Sequence, residues 1–139
     1  MSKPGLVAVE QSGVMTETTT VAIAMVTLDC ADPRVEATFW SELLGWDILA
    51  VEDEYAMLKG TDAALGFGQV PDYVPPSWPN GEGSKQFHFD LKTDDIAAAE
   101  QRCVELGATV PEDQPGETWR VLLDPAGHPF CLTNAANWG

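Results

Sequence analysis

The chain has 139 residues, of which 45% are hydrophobic and 21% charged, and it carries a formal net charge of -15. That length suits one domain with a core able to fold without disulfide or metal staples. So acidic a surface repels phosphate backbones and anionic bilayers, which makes nucleic acid and membrane poor partners, and no apolar run approaches the ~20 residues of a membrane-spanning helix.

Residues 1–19 read as an N-terminal leader, either mobile or lying against a neighbouring chain, with a short edge strand at residues 6–9; Met15 would serve equally well as a start. Residues 21–30 are β-branched and apolar, a strand. Asp32 then caps a helix that has Pro33 at its first position, Glu36 in its first turn and Gly45 as its stop; Val35, Phe39, Trp40 and Leu43 form its apolar stripe. Short strands follow at 46–51, 55–59 and 63–70. Residues 71–84 make a loop unusually rich in proline and aromatic side chains, with Tyr73, the Pro75-Pro76 bend and Trp78.

The next strand alternates strictly. Gln86, His88 and Asp90 fall on one face, and Phe87, Phe89 and Leu91 on the other, so the apolar face should press on a helix and His88 should look away from it. A second helix over 96–106, capped by Asp94 or Asp95, turns Ala98, Cys103 and Leu106 inward and stops at Gly107. A short strand near Thr109, a strand at 118–124, the turn Pro125-Ala126-Gly127 and a strand at 129–133 complete the chain. Cys30, Cys103 and Cys131 form no CxxC pair and sit among apolar neighbours, which fits reduced thiols in a cytoplasmic protein.

The element order is βαβββ, twice. A shift of about 63 residues lays Met25 through Asp32 on His88 through Asp95, with Leu28 on Leu91, Asp32 on Asp95, Glu42 on Glu105 and Leu43 on Leu106. The agreement of strand, cap, helix and glycine stop marks an internal repeat. The chain contains no GxGxxG, P-loop, GxSxG or HExxH motif.

Six stretches together resemble the vicinal oxygen chelate superfamily, the glyoxalase, bleomycin-resistance and extradiol-dioxygenase relatives, and within it an uncharacterised glyoxalase-like branch. They are Leu28-Asp29-Cys30-Ala31-Asp32-Pro33, Phe39-Trp40 through Leu44-Gly45-Trp46, Tyr73-Val74-Pro75-Pro76-Ser77-Trp78-Pro79, His88-Phe89-Asp90-Leu91, Leu106-Gly107-Ala108, and Asp124-Pro125-Ala126-Gly127-His128-Pro129-Phe130-Cys131-Leu132. The resemblance spans residues 21–133. It implies an α+β fold of two βαβββ modules whose curled mixed sheets surround a central cup, and it implies homodimers. The single domain would occupy residues 20–135, with module one at 20–70, a linker or lid loop at 71–84 and module two at 85–135.

Metal-using members of that superfamily take one ligand from each of four strands. Those positions fall here on Met25, on His88, on Cys131, and near Gly66 or Gly68, or on Gln69 if the strand bulges. One histidine survives, with a thioether and a thiol, whereas catalytic divalent metals want three or more hard or borderline donors. No resident cofactor is therefore expected; were a divalent metal present, His88 would hold it, and Asp90 or His128 would have to complete the set. His128 follows a tight turn and is read as turn chemistry at a strand end.

The expected ligand-binding set is Met25, Gln69, Tyr73, Trp78, His88, Asp90 and Cys131, with His88 the catalytic candidate if there is catalysis. An imidazole can hydrogen-bond a ligand or act as acid or base near neutrality; the alternative is a polar residue satisfied by Asp90 or backbone. Tyr73 and Trp78 either form an aromatic lid or pack on a sheet edge or a partner. Trp40 and Phe39 have core spacing. Trp119, Val121 and Leu123 alternate with Arg120 and Leu122, and which set lines the cup is left open. The expected function is a cup that binds a small organic molecule, partly aromatic or apolar, as a sequestering or resistance-type binder or a metal-free enzyme. The alternative is a divalent-metal lyase, isomerase or dioxygenase of the glyoxalase type.

Overall fold

The computed structural model describes residues 23–81, 83–84 and 87–138. The expected leader at 1–19, its strand at 6–9 and the placement of Gln86 lie outside the described residues.

Module one runs β1 (Met25–Cys30), α1 (Pro33–Leu44), β2 (Ile48–Val51), β3 (Tyr55–Leu58) and β4 (Ala64–Gln69). Module two runs β5 (Phe89–Thr93), α2 (Ile96–Leu106), β6 (Arg120–Leu123) and β7 (Pro129–Asn134), followed by a 3-10 turn. The sheets have orders β1-β4-β3-β2 and β5-β7-β6, and in each the first strand pairs in parallel with the last. The expected strand near Thr109 is a single bridge, Thr109 to Leu123, which occupies the place of β2 in the second sheet. The α+β fold of two related modules is thus present.

Both helices start where their caps direct. The Asp32 carboxylate accepts from Arg34 N at 3.0 Å, and that of Asp95 from Ala98 N at 3.0 Å, each satisfying an orphan donor of the first turn. Gly45 closes α1 at φ 72°, where a side chain would be strained.

The buried stripe of α1 differs from the expected one. Val35 is 49% exposed, and Pro33, Glu36, Ala37 and Trp40 face inward with Phe39. In α2 Ala98 is exposed, and Ala99 packs with Ile96, Cys103 and Leu106. The other expected positions, Phe39, Trp40 and Leu43 in α1 and Cys103 and Leu106 in α2, do pack in or against the core. Arg120 lies on the helix side of β6, where its Nε donates to Glu100 Oε1 at 2.7 Å; Val121 shares the face of Cys131, its register partner on β7.

Trp40 joins the modules. It is 1% exposed, meets Phe89 and Phe130 edge-on at 5.5 and 5.1 Å, and donates from Nε1 to Asp124 Oδ2 at 2.9 Å. Burying an indole of ~200 Å² contributes about 5 kcal/mol before entropy is counted. Glu36, one turn earlier and 1% exposed, accepts from Ala126 N at 3.0 Å through Oε1. Its Oε2 meets no donor, as suits an oxygen that carries a proton. Burial, and then the neighbouring Asp124 as hydrogen-bond partner and as charge, push the Glu36 carboxyl up to about 10.

The unfolded chain ionises Glu36 near its ordinary value of 4.5, while the folded chain keeps the proton. Unfolding above that pH releases a proton, so this group's contribution to stability falls as pH rises toward about 10. Glu36→Gln keeps the acceptor for Ala126 N and removes the titration. Thermal melts should show the variant gaining on wild type by on the order of 2 kcal/mol between about pH 5 and pH 8. A parallel pH dependence of the two proteins would place the proton elsewhere.

Candidate functional site

A cavity of about 740 Å³ lies between β1 and β5, the edge strands of the two sheets. Residues 25–29 form one wall and 87–89 the other; Trp40 is the floor, His128 and Pro129 close one end, and Pro76 and Ser84 reach over from the 71–84 loop. A second cavity of about 380 Å³ shares Val26, Trp40 and Phe89 with the first and adds Trp46, Asp62 and Asp90. The walls are chiefly apolar and aromatic, and Phe87 at the rim is 90% exposed.

The strand period sets which side chains meet there. Leu28 and Cys30 on β1 and Leu65 and Phe67 on β4 turn to the helices, leaving Met25, Thr27, Gly66 and Gly68 on the opposite face. The Met25 side chain lies across Gly66: a Cβ there would stand 2.7 Å from Met25 Sδ and 3.2 Å from Thr27 Oγ1. In module two the same face carries His88, Asp90 and Cys131. Asp90 and Cys131 are register partners on β5 and β7, and His88 Nε2 stands 3.3 Å from Asp90 Oδ1. The donor atoms of all three lie within 4.8 Å of one another.

Four of the seven residues expected in the site, Met25, His88, Asp90 and Cys131, stand in the cavity walls or beside them. Gln69 reaches back to Ala31 O at 3.4 Å. The Tyr73 hydroxyl donates to Ala126 O at 2.8 Å, and Trp78 Nε1 donates to Asp113 O at 3.1 Å, so both rings anchor the loop to module two. Burial, then the Asp124 and Glu36 charges, raise the Tyr73 phenol above its usual range.

His128 and Asp29 were not expected in the site, yet both line the cavity. His128 Nε2 stands 2.6 Å from Asp29 O, which assigns that nitrogen as the donor, and 3.3 Å from the Tyr73 hydroxyl. Gly127, at φ 88°, lets Pro75 approach: a Cβ would stand 2.7 Å from Pro75 Cβ. The turn thereby ties β1, the loop and β7 together. The alternation around Met25 and the fold's pairing of β1 with β5 across a gap were the signals for Asp29; for His128 no local pattern existed.

The four-strand metal set implied by the resemblance does not fit these residues. Module one offers a thioether over bare glycines, and Gln69 is turned away. Module two offers imidazole, carboxylate and thiol on one sheet face, all within 4.8 Å of one another, three donors of mixed hardness from a single sheet in place of one from each of four strands.

A family profile described as "Glyoxalase-like domain" matches residues 25–133. A curated relative, the glutathione transferase FosA of Serratia marcescens, is 29% identical over 109 residues, covering 76% of this chain and 75% of that protein. A glyoxalase-related enzyme from Fulvimarina pelagi superposes with TM-score 0.61 at 20% identity, covering 83% of this chain and 88% of its own. TnmS3, an antibiotic binding protein from Streptomyces sp. CB03234, superposes with TM-score 0.54 at 22% identity, covering 85% and 98%.

The three cysteines differ in reach. Cys30 and Cys103 are buried, and desolvation pushes their thiols up to about 12 and about 11, with nearby carboxylates adding to the shift. Cys131 is half-buried beside His88 and Asp90. Iodoacetamide at about pH 8 should therefore add once per native chain, about tenfold faster at Cys131 than elsewhere. Mass spectrometry checks this: Cys131→Ser should lose the fast adduct, and the denatured wild type should gain all three.

Proposed function

This chain belongs to the glyoxalase-like domain family, and on that footing we propose that its cup binds a small organic molecule, partly aromatic or apolar, without a tightly held metal. It acts as a sequestering or resistance-type binder or as a metal-free enzyme. The observation that carries the reading is the cavity of about 740 Å³ floored by Trp40 and Phe89. Its size falls in the roughly 300–1,000 Å³ range of small-molecule sites and argues against a collapsed cup. Likeness to an antibiotic binding protein supports sequestration. His88 and Asp90 supply the few polar groups that orient a ligand in an apolar site, and His88 is the residue suited to proton transfer.

A second reading, a divalent-metal lyase, isomerase or dioxygenase, is favoured by one observation, the convergence of His88, Asp90 and Cys131. Elemental analysis separates the two. The first reading expects well under one zinc, nickel, iron or manganese per chain after purification without chelator; one per chain, lost in His88→Ala, would establish the second.

The protein is a homodimer in this reading. The edge strand β2 has no partner on its outer side among the described residues, and Ile48 and Leu49 are exposed on it. Three cysteines without a disulfide suit a reducing, cytoplasmic setting. Light scattering at micromolar concentration should return about twice the 15.0 kDa chain mass; a monomer mass would leave the strand edges open in solution.

A further inference from the structure

Charge, as well as shape, distinguishes the cup. Asp29 lines the first cavity, and Asp62 and Asp90 line the second. Asp29 and Asp62 have no ion-pair partner among the described residues, and Asp90 has only His88. The described cations are engaged or elsewhere. Arg34, Arg102 and Arg120 pair with Asp53, Glu42 and Glu100, and Lys59 and Lys92 line neither cavity. The three aspartates are exposed, and the rings of Trp40 and Phe89 line both cavities with Phe87 added in the first. Aromatic faces attract cations, and low-dielectric walls concentrate the field of charges set in a cleft. A chain of net charge -15 adds a long-range field of the same sign.

We propose that the cup selects cations: its ligand carries a protonated or quaternary amine attached to an aromatic or apolar body, and anionic ligands are rejected. The inference rests on the small-molecule reading of the same cavity. It separates this chain from its glutathione-transferring relative, since glutathione is an anion at neutral pH and would have to enter past Asp29 with no described Lys or Arg to receive it. The ammonium group sits against Asp29 or Asp90, and the ring lies over Trp40 and Phe89.

Three matched probes test this by titration of the tryptophan fluorescence: (1-naphthylmethyl)trimethylammonium, 1-naphthylmethanol and 1-naphthylacetate. All titrations are run at one pH, about 8. The ammonium should bind about tenfold tighter than the alcohol, and the acetate weakest. Asp29→Asn/Asp90→Asn should cut the ammonium preference to about twofold, whereas Glu52→Gln/Glu105→Gln, with the same change in net charge at exposed remote positions, should leave it within about a factor of two. Equal binding of ammonium and alcohol overturns the inference and leaves the small-molecule reading standing; equal losses in the two double variants overturn it as well. Binding of none of the three overturns both. Tighter binding of the acetate also overturns it.

Discussion

The Asp124 carboxylate, 3% exposed, accepts hydrogen bonds from Trp40 Nε1, Ala126 N and His128 N, each at 2.9 Å. One acceptor thus fixes a helix of module one and a turn of module two. A buried carboxylate is costly to dehydrate and persists only where donors surround it. Here the donors are the two structures that must stay in register: the indole that floors the cavity and the turn that carries His128 into its wall. Glu36 completes the arrangement from the next turn of α1, holding its proton beside Asp124 and accepting from the same Ala126 amide. The shape of the cavity follows from this contact, because Trp40 reaches Phe89 and Phe130 only when the two modules stand at this separation.

The repeat is symmetrical in backbone and asymmetrical in chemistry. Both modules place a parallel first and last strand side by side, with the helix on one face. On the opposite face module one has Met25 folded over Gly66, while module two has imidazole, carboxylate and thiol. Around the cavities both modules mix the two kinds of surface, Met25, Asp29 and Asp62 coming from module one and Phe87, Phe89, His88 and Asp90 from module two.

Much of the fold was legible in the sequence because it is written locally. The caps Asp32 and Asp95, the glycine stops and the alternation through Phe89 and Leu91 each need only a few neighbouring residues to be read. The burial of Glu36 in place of Val35 needed the other module, whose Ala126 amide donates to the Glu36 carboxyl. The site divided in the same way. His88, Asp90 and Cys131 follow from strand parity and the repeat. His128 meets Asp29 across 99 residues of sequence, a contact without a local trace. Tyr73 and Trp78 were conspicuous as rings, but their polar tips found backbone carbonyls on module two and turned them into anchors of the loop.

Met25 lying across Gly66 has an evolutionary consequence. A side chain introduced at residue 66 would require the Met25 thioether to swing aside, because its Sδ stands 2.7 Å from where the new Cβ would be. A ligand introduced at residue 25 alone would find no side chain opposite. Four donors facing one centre would therefore take changes at both residue 25 and residue 66. Substitutions around Cys131 lie on the other sheet and leave the packing of Met25 on Gly66 untouched.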